Sequence, residues 1–458
     1  MIARNFLALG LGEAVTRLLA FAATVYLARV LGASLYGVLG VSAAVILYLV
    51  PLADGGLDVG TGVRAVAKDP IALSRVVPAV LTVRLVRALV LTLVVGTVAL
   101  FFVPVPDGPV LALHALTLIG AGSSSRWLHL AFDRAGTVAV VRSIGQLVTV
   151  ALIFILVRGP SDVTHAPLAQ FVGDIGASIV LLILLRRYGI RPTFVYDRVA
   201  AAPLLRQARP LVLGTLLGLT IFNSDLIFVR LFRDAEAAGF YAAAYLVVSF
   251  SVNLGLAYSM ALMPSLARAT ADRAAQSALY QHGVLHMVAG GLPIAIGGWV
   301  LALPLVATVF GTAYSPAAPA FAILVWSIPL SLVRDIPIVA LITHGQERTV
   351  LRVTGIAVVL NIALNFALIP RFGMVGAAVA TVVTEGARMV LAFVAAHRYQ
   401  LGLPSWRLVW RPFAAAAAML AVLSWGVAMP VWGVVLLGAG TYGFVLMLIG
   451  GAPFRVLR

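Results

Sequence analysis

The stretch "FLALGLGEAVTRLLAFAATVYLARV" (residues 6–30) decides the fold class. A helix needs about 20 consecutive apolar residues to cross the hydrocarbon core of a bilayer, and this run is longer. Glu13 and Arg17 stand four residues apart inside it, and Arg29 lies at its end. An N-terminal apolar run can be an export signal, but signal cores are shorter and are not followed by many equally apolar runs. The stretch is expected to be the first membrane-spanning helix.

The same character extends over all 458 residues. The chain is 62% hydrophobic and only 10% charged, with a mean hydropathy of +1.08. Soluble domains are nearer half apolar. The composition predicts an all-α polytopic membrane protein with about fourteen transmembrane helices. The apolar segments are 6–30, 38–60, 79–103, 109–130, 137–157, 165–186, 206–231, 237–264, 283–308, 318–343, 350–370, 374–397, 409–429 and 431–450. Only helices or closed barrels satisfy the backbone in lipid. Runs this long exclude barrel strands of roughly ten alternating residues.

The charges test that map. A formal charge of +16 would suggest nucleic acid in a soluble protein. In a membrane protein it is the bias of cytoplasmic loops toward arginine and lysine. With the N-terminus in the cytoplasm, 22 of the 32 basic residues fall on the cytoplasmic side and 5 on the other. The remaining five, Arg17, Arg84, Arg87, Arg334 and Arg388, fall inside helices. Both termini are therefore expected in the cytoplasm. The chain has no cysteine, which excludes disulfides and thiolate chemistry. It has no GxxxxGK[ST] sequence, so no loop of that kind cradles a nucleotide.

The chain also repeats itself. "ALIFILV" (151–157) matches "ALNFALI" (363–369), and "RRY" (186–188) matches "HRY" (397–399), at spacings of 211–212 residues. On that register Asp174 falls on Glu385. "LYGVLGVSA" (35–43) likewise resembles "AAGFYAAAY" (237–245), with Gly37 on Gly239. Helices 1–6 are thus read as repeated in helices 7–12. Six is even, so the copies are parallel repeats, with substrate sites expected between them. The expected organisation is a lobe at 1–190, a linker at 191–205, a second lobe at 206–403, and two additional helices at 404–458.

Three stretches carry a family resemblance: "ARVLGASLYGVLGVSAA" (28–44), "NSDLIFVRLFRDAEAAGFYAAAY" (223–245) and "IPRFGMVGAAVATVVTE" (369–385). Together they resemble the polysaccharide-export branch of the multidrug/oligosaccharidyl-lipid/polysaccharide flippase superfamily, over essentially the whole chain and in order. The resemblance implies two six-helix lobes around a central cavity. It implies movement of undecaprenyl-pyrophosphate-linked oligosaccharide from the inner to the outer leaflet by alternating access. It also implies a bacterial or archaeal plasma membrane, a lipid-linked glycan as substrate, and other polysaccharide-assembly membrane proteins as candidate partners. No nucleic acid and no cofactor are expected; H⁺ or Na⁺ is the candidate coupling ion.

A pyrophosphate and a glycan headgroup need a polar, cationic path, and charges within a bilayer must face a cavity or pair with one another. Glu13 and Arg17, at i and i+4, share one helix face. They are either a structural pair or a cavity pair in which Arg17 meets substrate phosphate. Arg84 and Arg87, about 8–12 Å into helix 3, either snorkel to the headgroups or line the cavity. Arg334 and Asp335 lie between Pro329 and Pro337, where a bend is expected. Glu385 and Arg388 share a face of helix 12. The candidate substrate residues are Glu13, Arg17, Arg84, Arg87, Arg334 and Arg388. The candidate ion-coupling residues are Asn223, Asp225, Asn361, Asn365, Glu385 and Asp174, although membrane amides more often bond between helices. Asp54 and Asp58 are read as solvated, and His114, His282 and His286 show no metal-ligand pattern.

A drug or metabolite antiporter on the same fold is the alternative. A membrane enzyme of polysaccharide assembly fits less well, because the connections expected outside the cell are about 2–10 residues and hold no catalytic loop. No catalytic residue is expected.

Overall fold

The computed structural model describes residues 2–56, 70–190, 193, 195–399, 401, 405–425 and 429–450. Side chains are described there except at 2–16, 70–73, 222, 407 and 408. The helices are α1 (Ile2–Asp54), α2 (Pro70–Phe102), α3 (Asp107–Ala115), α4 (Thr117–Ser123), α5 (Arg126–Ala131), α6 (Ala135–Leu156), α7 (His165–Leu184), α8 (Arg198–Phe232), α9 (Ala235–Arg268), α10 (Arg273–Val300), α11 (Ala302–Phe310), α12 (Ala318–Leu324), α13 (Ser327–Thr343), α14 (Glu347–His397), α15 (Trp406–Ser424) and α16 (Val431–Leu448). Within the described residues, each of the fourteen apolar segments is found as a helix, an arm of a kinked helix, or a run of short helices. Among the described residues there is no strand, and nine helices are long and apolar enough to cross a membrane unaided.

The remaining segments are broken for identifiable reasons. α1 carries the first two segments as arms joined at Gly32, whose φ of 74° and ψ of 167° lie outside the helical region. α14 does the same for segments 11 and 12 at Gly373, with φ 57°. A positive φ is cheap only without a Cβ. Segment 109–130 becomes α3, α4 and α5. α8 bends by 53° between Ile221 and Asn223. The bend expected around Arg334 lies elsewhere: the break comes between α12 and α13, and α13 runs on through Pro337. Pro329 sits in the first turn of α13, where a missing N–H leaves no bond unmade.

The chain divides into two compact units, Met1–Arg230 with Asp234–Gly239, and Leu231–Arg233 with Phe240–Arg458. The first unit takes α8 as far as Arg230, whereas the repeat reading begins its second lobe at 206. In the first unit α6 packs along α7, and the arms of α1 pack on α3, α4 and α6. The Tyr26 hydroxyl donates to the Val157 carbonyl at 2.7 Å. Arg230 grips Asp107 with two hydrogen bonds, at 3.0 and 3.2 Å. Gly37 and the start of α9 approach so closely that a Cβ on Gly37 would overlap Ala235 O and stand 2.7 Å from Gly239 N.

In the second unit α13 packs on α10 and α14. The last two helices dock on α10 through Ala289, Leu292, Ile296, Met419, Leu423 and Tyr442. The Tyr442 hydroxyl donates to Ala289 O at 2.8 Å. Large apolar side chains such as Leu93, Phe101, Leu436 and Met447 stand exposed, as expected where lipid is the solvent.

Candidate functional site

Within the first unit, helices α1, α3, α4, α5, α6, α7 and α8 surround a cavity of about 1000 Å³. Small residues make the room: Gly40, Ala43, Ala44, Gly120, Ala121, Ala139 and Gly173 lie along its wall. Three arginines line it from three elements, Arg17 on α1, Arg126 at the start of α5 and Arg142 on α6. Among the described residues, the acids on the lining are two aspartates, Asp54 and Asp174.

The polar side chains come in helical pairs. Arg142 and Gln146 lie one turn apart on α6, and Gln170 and Asp174 one turn apart on α7. The Gln170 amide and the Arg142 guanidinium both lie near the Asp174 carboxylate. His114 is buried, with Nδ1 2.8 Å from Ser42 Oγ and Nε2 3.3 Å from Gln170 Oε1. A polar line thus runs from α1 through α3 to α7. Asp54 Oδ1 accepts from the Gly56 amide at 2.6 Å, closing an Asx turn just past its helix.

The expected residues of this unit fall in different places. Arg17 lines the cavity; the Glu13 side chain lies outside the described residues, as does Asp58. Asn223 lines the cavity too, with its amide donating to Leu219 O at 3.2 Å. Asp225 is fully buried, near Tyr48, whose hydroxyl donates to Leu219 O at 3.3 Å. Arg84, though 1% exposed, serves the break between α4 and α5. Its guanidinium donates to Ser124 O at 2.9 Å and Ala121 O at 3.1 Å. A broken helix leaves carbonyls without intrahelical partners, and in lipid those must be satisfied by protein. Arg87, one turn further on, points away from Arg84's carbonyls into a separate pocket.

Arg126 and Arg142 were missed as site residues, having been counted among loop charges. The signal was present: Arg142 with Gln146, and Gln170 with Asp174, show the same i, i+4 polar pairing that marked Glu13 and Arg17.

The second unit holds a closed charge network between α13 and α14. Arg334 donates to Asp335 Oδ1 through Nη2 at 2.6 Å and Nε at 3.1 Å, and to Glu385 through Nη1. Ser331 donates to Glu385 Oε2 at 2.8 Å. Arg388 reaches Glu385 Oε1 and Thr354 Oγ1, both at 3.5 Å. Glu385 is fully buried, and both its oxygens are engaged. Two arginines meet two acids, so the network is neutral. Asn361 and Asn365 are buried beside each other on α14, with Asn365 Nδ2 donating to Asn361 Oδ1 at 3.1 Å. The sequence-expected residues Arg334, Glu385 and Arg388 are thus brought together, but around one another.

Comparison with known proteins sets these sites in a family. The chain is 31% identical over 300 residues to the protein named "Probable flippase AglR" of Haloferax volcanii, a match covering 61% of each chain. It is 26% identical over 277 residues to "Probable lipid II flippase MurJ" of Vibrio cholerae, covering 53% of this chain and 52% of that one. The chain therefore spans between half and two thirds of these relatives. A solved structure described as "Lipid II flippase MurJ, inward closed conformation" superposes with a TM-score of 0.84, covering 98% of this chain and 99% of that one at 11% identity. That likeness is one of fold. The family model described as "Polysaccharide biosynthesis protein" matches residues 2–270, more than half of the sequence and nearly all of the unit that holds the arginine-lined cavity, and the chain belongs to that family.

Proposed function

We propose that the chain is a secondary transporter that flips an undecaprenyl-pyrophosphate-linked oligosaccharide from the inner to the outer leaflet by alternating access. The observation that carries this reading is the set of three arginines, Arg17, Arg126 and Arg142, on one cavity among membrane-spanning helices. Each charge within the bilayer costs roughly 2.5–3.5 kcal/mol or more. Three converging on one space are best accounted for by an anionic ligand. Guanidinium groups suit pyrophosphate because each can offer two parallel N–H donors. The amides of Gln146, Gln170 and Asn223 supply further donors for sugar hydroxyls. The relatives named as flippases support the same substrate class.

Energy would come from a gradient. Asp174 and Asp225 are the preferred carriers of a coupling ion, because Arg334 and Arg388 already neutralise Glu385. Arg17 would hold Glu13 in the empty state and exchange it for pyrophosphate on loading.

The test is transport of a fluorescent undecaprenyl-pyrophosphate glycan in vesicles containing the purified protein. Losing one charge-assisted contact of about 1.5–3 kcal/mol corresponds to a roughly 10–100-fold fall in affinity. Arg142→Gln and Arg17→Gln should each lower transport by about that factor at normal protein levels. Arg17→Lys, which keeps the charge and loses the fork, should fall between. Wild-type transport by the triple variant Arg17→Gln, Arg126→Gln, Arg142→Gln would reject the reading. So would export of cationic drugs by a protein that ignores the glycolipid, which is the antiporter outcome.

A further inference from the structure

A second arginine-lined pocket lies at the end of the first unit where α1 stops and α8 begins. It encloses about 400 Å³ and is lined by Arg87, Arg198, Arg206 and Arg209, with Leu205 and Leu213 in its apolar wall. Among the described residues there is no acid on the lining. Among the described residues none of the four arginines forms an ion pair. Arg87 lies within the fields of both Arg198 and Arg209. Like charges this close repel, so an empty pocket is an unfavourable arrangement that a bound anion relieves.

The arrangement is held in place from below. Ala201, Leu204, Leu205 and Ala208 on the first turns of α8 are buried against Val80, Leu81, Trp127 and Leu128. This anchors one face of the helix and turns Arg206 and Arg209 outward. The nearest acid in that stretch, Asp197, is engaged elsewhere: it caps α8 through the Ala200 amide at 2.8 Å and faces Arg75 at 3.9 Å. Tyr196 and Val199, flanking Arg198, are 63% and 81% exposed. An exposed tyrosine and valine beside arginines are what a membrane–water interface selects.

We propose that this pocket binds the phosphate headgroup of an anionic membrane lipid, with the arginines on the phosphate and the apolar wall on the first acyl carbons. A soluble phosphate would gain the same charge contacts but has no use for the Leu205 and Leu213 wall or for the exposed apolar rim. Juxtamembrane arginine clusters attract anionic lipid roughly in proportion to their number. The charge count assigns this end to the cytoplasmic side, so the lipid is one of the inner leaflet. The inference is independent of what the larger cavity carries.

The test uses the full chain in phosphatidylcholine nanodiscs doped with phosphatidylglycerol, with retained phosphatidylglycerol counted by native mass spectrometry. The double variant Arg206→Gln, Arg209→Gln should hold it about 30-fold more weakly than wild type. Both side chains are exposed, and an unchanged melting temperature verifies the fold. Arg142→Gln, in the other cavity, should retain the lipid normally. Inorganic phosphate added to the doped nanodiscs should leave the count of retained phosphatidylglycerol unchanged. The proposal fails if the double variant binds phosphatidylglycerol as wild type does. It fails equally if Arg142→Gln abolishes retention, or if inorganic phosphate displaces the lipid.

Discussion

Arginine is the residue on which this molecule turns, and its intramembrane copies meet different fates. Arg84 satisfies two carbonyls at a helix break. Arg334 is held by two carboxylates. Arg17, Arg126 and Arg142 face open volume. These environments respond differently to substitution. Arg334→Gln leaves Glu385 fully buried with the Ser331 hydroxyl and, as its charged partner, only Arg388 at 3.5 Å. Breaking a buried pair by removing one partner costs about 3–5 kcal/mol, so this variant should melt well below wild type in detergent. Arg84→Gln should cost about 1–3 kcal/mol, the desolvation of the Ser124 carbonyl, since Ala121 O keeps the Ser124 amide. Neither should change the affinity for substrate of the protein that remains folded. A wild-type melting temperature for Arg334→Gln would show that the network is not structural. On the repeat register Thr354 occupies the place of Arg142, and Arg388 that of Ala177. Asp174 thus meets a cation from α6, whereas Glu385 meets one from α13 and one from its own helix.

At the scale of elements, breaks and close crossings shape the bundle. Gly32 and Gly373 divide two long helices into spans. The crossing at Gly37 is tighter still, because the atoms a Cβ would meet there are backbone atoms of Ala235 and Gly239. A side chain can swing aside, whereas backbone of a packed helix must move bodily. Gly37→Ala is therefore expected to destabilise by about 1–3 kcal/mol, the usual range for overpacking. Gly96→Ala on α2 is the matched control, since a Cβ there meets nothing within 4 Å. It should be neutral or stabilising by up to about 1 kcal/mol through helix propensity. Thermal unfolding of the two variants in detergent reads the difference, and equal melting temperatures would refute the crossing argument.

For the whole molecule, the arginine distribution predicts fourteen spans with both ends in the cytoplasm. Reporter fusions after Gly108, Pro160 and Phe310 should read outside, and fusions after Ala135, Asp197 and Gln346 inside. Two or more reversed sites would overturn that topology. The membrane class, the helical state and the approximate span positions were legible in the sequence, because a bilayer imposes a requirement on each local run: about 20 apolar residues with every backbone bond closed internally. Such a condition can be read one segment at a time. The role of each polar residue could not be read that way. Arg84 and Arg87 lie three positions apart on one helix, yet one caps carbonyls of α4 and the other faces Arg198 and Arg209. Arg142 looked like a loop charge and lines the cavity instead. Which side chains face space depends on the rotation of each helix against its neighbours and on where glycines and alanines leave volume unfilled. Those are properties of several segments at once, so only the tertiary structure decided them.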